Sequence, residues 1–126
     1  MKDKIENIRG NHVVNVGGAE SIAVGTNRTV TVGGAEIVEV GGDQSTSIGR
    51  NHNEQVAFSH ALTVGKSLLL EAGDELAIVV GQSSIVMKKD GTILIKGRNI
   101  NIEAAGKITV KASGDITLKG SRVLQN

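Results

Sequence analysis

Apolar and polar residues alternate along the first two thirds of this chain, and glycine punctuates the alternation. The units read Val14-Asn15-Val16-Gly17, Ile22-Ala23-Val24-Gly25, Val30-Thr31-Val32-Gly33 and Val38-Glu39-Val40-Gly41. Later copies read Leu62-Thr63-Val64-Gly65 and Ile78-Val79-Val80-Gly81. Glycine recurs at 17, 25, 33, 41, 49, 65, 73 and 81, a period of eight, and Ala57 fills the one missing slot. Alternation of period two marks a strand with one covered face, and the β-branched residues agree with that. A helix is excluded by the same period and by glycine at every eighth place. Each glycine closes a unit, where the chain bends into the next strand. Gly17-Gly18, Gly33-Gly34, Gly41-Gly42 and Gly25-Thr26-Asn27 place residues tolerant of positive φ at these corners.

After Gly81 the glycines lose this register, at 91, 97, 106, 114 and 120, but the apolar pairs continue. They are Ile85/Met87, Ile93/Ile95, Ile100/Ile102, Ile108/Val110 and Ile116/Leu118, with Val123 last. The pattern therefore predicts one rod in two sections. Residues 1–81 form the regular octad section, and residues 82–126 continue the same β-structure towards the C-terminal tip.

Eight residues extend at most about 26 to 29 Å, too little for one chain to circle a packed lumen and return above itself. Three chains, each stepping to the next side at each glycine, close a triangular tube. Two apolar side chains per octad from each chain then fill its axis. The expected fold is all-β: an intertwined triple-stranded β-helix, a triangular β-prism needle built by a homotrimer. Strands then pair between chains, which removes the free edges that a monomeric hairpin meander of the same sequence would expose.

Composition suits a narrow interior. Phe58 is the one aromatic residue, and the chain has no Trp, Tyr, Pro or Cys. Wide cores use aromatic rings because each covers a large area. Without proline every residue past the first keeps an amide donor for a ladder. The missing cysteines exclude a disulfide framework and a thiolate zinc site. No apolar run reaches the ~18 residues of a membrane-spanning helix, and the start, Met1-Lys2-Asp3-Lys4-Ile5-Glu6, does not read as a signal peptide. The net charge of +1 hides an asymmetry: residues 1–87 carry 6 Lys+Arg against 10 Asp+Glu, and residues 88–126 carry 8 against 3. A solvated basic exterior is the expected reading of that C-terminal excess, ahead of a lipid-binding patch.

The octad pattern has a defect in residues 42–60, where Thr46 and then Glu54 take the first apolar slot. Three Glu54 carboxylates around one axis are costly unless protonated, hydrated or bound to a cation. His12, His52 and His60 share one octad phase, five residues before the glycine slot. Threefold symmetry turns one ligand into three, so an axial ion is conceivable. However, Glu20, Arg28 and Glu36 occupy the same phase as the histidines, which favours an outward, solvated position. No metal site and no cofactor are expected.

These residues resemble a known family. Tandem Val-x-Val-Gly octads are similar to the C-terminal needle of VgrG, the valine–glycine repeat spike of bacterial type VI secretion. Cell-puncturing spikes of contractile-tailed phages carry a similar prism. Residues 84–97, Ser84-Ile85-Val86-Met87-Lys88-Lys89-Asp90-Gly91-Thr92-Ile93-Leu94-Ile95-Lys96-Gly97, resemble the stretch near the end of the VgrG needle, as do residues 106–121. The resemblance implies a fragment of a larger spike protein, assembled in the bacterial cytoplasm and driven across a target envelope into another cell. It also implies a PAAR-repeat tip protein and an effector seated on the C-terminal end. The matching surface is Ser121, Arg122, Val123, Leu124, Gln125 and Asn126.

Other functions fare worse on the residues. No Ser/His/Asp or Cys/His arrangement is indicated, and no glycine pattern sits between strand and helix, so the chain is not expected to be an enzyme. Calcium-binding solenoids need an Asp in nearly every turn, and this octad has none at a fixed place. Nucleic-acid binding lacks its aromatic platforms. The remaining rivals are structural: a phage baseplate spike or a trimeric adhesin stalk.

Overall fold

The computed structural model describes residues 3–124. Among them there is no helix, and the β-structure is one antiparallel sheet of three strands. The chain divides into two units, Met1–Gln55 and Val56–Asn126.

In the first unit the backbone bends at residues 9–10, 17–18, 25–26, 33–34, 41–42 and 49–50. The spacing is eight throughout, as the glycines predict. No strand is formed in the described part of this unit. A strand is defined by its ladder, and the octads find no ladder within their own chain. Their amides and carbonyls must therefore be satisfied by water or by other chains. The corner glycines also differ from expectation. Among the described residues only Gly81 (φ 53°) and Gly91 (φ 88°) have positive φ, so the octad corners bend without entering left-handed space. What these corners share is their spacing and the absence of positive φ.

The second unit carries the same rhythm, with bends at 57–58, 65–66 and 73–74. The bend at Ala57 forms although glycine is absent there, so the rhythm does not depend on any single glycine. Then the pattern changes. Strands β1 (Glu75–Val80), β2 (Ser83–Lys88) and β3 (Ile93–Lys96) form a meander in the order β1-β2-β3. Two hairpin turns make this possible. Val80 pairs with Ser83 across Gly81-Gln82, and positive φ at Gly81 alone matches a II′ turn. In the second, Gly91 N donates to Lys88 O and Lys88 N to Thr92 O, both at 3.0 Å. Gly91 takes the left-handed place in this three-residue loop. Further bends follow at 98–99, 105–106, 113–114 and 120–121.

Candidate functional site

The surface that demands a partner is the apolar stripe itself. Among the described residues no side chain is buried. The chain exposes 14257 Å², more than twice the roughly 6,400 Å² expected of a compact monomer of this mass. Fully covering one valine or isoleucine contributes about 1.5–3 kcal/mol, so this surface is a large unused driving force. Its geometry repeats with the octad. Val16, Val24, Val32 and Val40 are 45–48% exposed, whereas Val14, Ile22, Val30 and Val38 are 58–68% exposed. These four octads therefore share one local conformation and each presents two apolar groups.

The sheet presents a second apolar surface. Register pairs Leu76 with Met87, Ile78 with Ile85, Ile85 with Ile95 and Met87 with Ile93. Alternation puts these residues, with Val80, on one face. The opposite face mixes the pairs Glu75/Lys88 and Ser84/Lys96 with Ala77, Val79, Val86 and Leu94. A groove of about 370 Å³ opens among Ile78, Val80, Ile85, Ile95 and Ile100. Gly97 sits at its wall, where an added Cβ would meet Ile100 Cγ1 at 3.5 Å and Ser83 Oγ at 3.7 Å. Outside the sheet, Lys89 ties strand ends together: its amide donates to Asp74 O at 3.0 Å and its Nζ to Asp74 Oδ1 at 2.8 Å. Asp90 Oδ1 accepts the Thr92 amide at 2.9 Å, and this bond holds the Asp90 carboxyl below its usual range.

The polar candidates are placed as follows. His52 Nε2 lies 3.8 Å from Glu54 Oε2, an ion pair when the imidazole is protonated, and both side chains remain more than half exposed. No group of three potential metal ligands forms among the described residues. Ser121, Arg122, Val123 and Leu124 are exposed beyond the bend at 120–121. Gln125 and Asn126 lie outside the described residues. Sequence reading missed the apolar sheet face as a distinct surface. Asp90-Gly91 flanked by alternating apolar residues was the signal that could have found its second hairpin.

A chain whose described residues bury no side chain and carry a repeating apolar stripe is one part of an assembly. Residues 1–80 match the family described as the Bacteriophage T4 gp5 C-terminal trimerisation domain. The chain belongs to this family. No curated protein matches the chain. Membership in the gp5 C-terminal trimerisation family makes the chain a homotrimer of β-structure, of the kind that trimerises phage-tail-like spikes. The match ends where β1 ends, so the trimerisation region takes in all the octads and the first strand of the sheet.

Proposed function

We infer that three copies wind into a triangular β-prism and that the prism is the puncturing needle of a contractile injection apparatus. The observation that carries this reading is the unbroken series of bends at every eighth residue from 9–10 to 73–74. A single bend angle repeated at equal spacing steps a chain around an axis, and three such chains close the sides. Val14/Val16 and their equivalents then fill the axis, and the ladder bonds missing within one chain form between chains. If each octad climbs one strand spacing of about 4.8 Å, some fifteen octads give a needle roughly 70 Å long.

The role is mechanical rather than enzymatic. Freeing one octad disturbs its neighbours on both other chains, so the rod resists local opening under axial load. The resemblance of residues 84–97 and 106–121 to the VgrG needle supports a type VI secretion spike, which assembles in the bacterial cytoplasm and is translocated into a target cell. Its C-terminal end, from Ser121 onwards, is where a PAAR-repeat tip and effector would seat. A phage baseplate spike is the second reading, favoured by the family that residues 1–80 match. Light scattering with small-angle X-ray scattering tests the needle: a trimer mass with a rod profile near the stated length supports it. A compact monomer sinks it. Binding of a purified PAAR-repeat protein, lost on removal of residues 121–126, separates the secretion spike from the phage spike.

A further inference from the structure

Octads specify pairing well and alignment poorly. Within the regular copies from Val14 to Gly41, slide one chain by eight residues and the apolar pair again meets an apolar pair, glycine again meets glycine. Only Thr46, Glu54 and Ala57 interrupt the repeat further on. A repeating hydrophobic pattern cannot by itself choose among such registers. The assembly therefore needs a non-repeating element that three chains match in one way only.

The β1–β2–β3 sheet has the properties of that element. It begins inside the last regular octad, with β1, and is the only sheet among the described residues. Its ladder is made within one chain, so it can form before copies meet and does not repeat along the sequence. One face is apolar from edge to edge, through Leu76, Ile78, Ile85, Met87, Ile93 and Ile95. None of these six is buried. The face is continuous with the established trimer region. Leu76 and Ile78 of β1 belong to the matched residues 1–80, and their cross-strand partners Met87 and Ile85 lie just beyond. The other face is mixed: Glu75, Ser84, Lys88 and Lys96 lie beside Ala77, Val79, Val86 and Leu94. We propose that the apolar face of β1–β2–β3 packs against the same face of two further copies and that this contact sets the register of the three chains. Here the trimer changes from ladders shared between chains to three self-contained sheets facing one axis.

The inference rests on the octads winding between chains, and its test separates the two. The chain has no cysteine, so Thr31→Cys gives one site for a nitroxide label. Pulsed dipolar spectroscopy on the labelled full chain should show a single inter-spin distance. Ile85→Ala with Ile95→Ala should add further distances, displaced by whole octads, and lower the dissociation temperature by several degrees. Val79→Ala with Leu94→Ala, on the opposite face, should keep the single distance. An Ile85/Ile95 variant that keeps the single distance overturns the proposal, as does equal scrambling by the opposite-face pair. If the Ile85/Ile95 variant dissociates altogether while the opposite-face pair remains trimeric, the contact is upheld, and Met87→Ala alone then reads the register. A labelled parent chain with no inter-spin distance counts against the octad winding itself, and the proposal falls with it.

Discussion

Asp90 is fully exposed, yet its carboxylate accepts the amide of Thr92 and is held below its usual range by that bond. A carboxyl whose folded pKa is depressed stabilises the fold above its unfolded pKa, and that contribution is lost as pH falls through the folded value. Thermal melts from about pH 5 to about pH 2 should therefore show the hairpin loosening. Asp90→Asn keeps an acceptor and should remove this component of the pH dependence; an unchanged acid profile would assign it to other groups. The octads give a sharper residue-level expectation. Val32→Asp with Val40→Asp puts charges in the most covered slot and should abolish the trimer, whereas Thr31→Asp, one place away on the other side of the pleat, should leave it intact. Size-exclusion chromatography with light scattering decides it, and equal behaviour of the two variants would refute the assignment of faces.

Among the elements, the hairpins depend on glycine more strictly than the octad corners do. Gly81 and Gly91 occupy positive φ, a region that costs an L-residue about 1–2 kcal/mol. Gly81→Ala or Gly91→Ala should destabilise the sheet by roughly that amount, read as a lower melting temperature. At Gly25 the backbone stays out of that region and nothing lies within 4 Å of an added Cβ. Any penalty for Gly25→Ala must therefore arise between chains and show in assembly alone. The difference also explains what could be read in advance. Bend positions were legible because period-two alternation and glycine spacing agree at the corners from Gly17 to Gly49 and again from Gly65. The positive φ expected at those corners is absent: the chain bends there without entering left-handed space. The sheet was hidden because Ile85/Met87 and Ile93/Ile95 keep the octad rhythm. The alternation is identical whether the ladder partner is another chain or the next segment of the same one.

For the whole molecule, stability and assembly are one quantity. A chain that leaves every described side chain unburied has no folded monomer to fall back on. The melting temperature of the trimer should therefore rise with protein concentration, by mass action, and a concentration-independent transition would show that the copies are not required. The homotrimer itself was legible from the shortness of the octad, which leaves one chain unable to enclose its own apolar groups. The docking surface proposed from Ser121 to Asn126 rests on resemblance alone, because no periodicity encodes a partner's shape.

The bends at every eighth residue have one further consequence. If three chains wind as proposed, the regular octads are interchangeable steps and the rod's length changes only in whole steps. Removing residues 26–33 should shorten it by one step of about 4.8 Å and leave every other contact in phase. Removing seven residues instead turns the following stripe inside out. Gene duplication within the octad tract is thus a route by which such a device can lengthen or shorten without any new surface having to be invented.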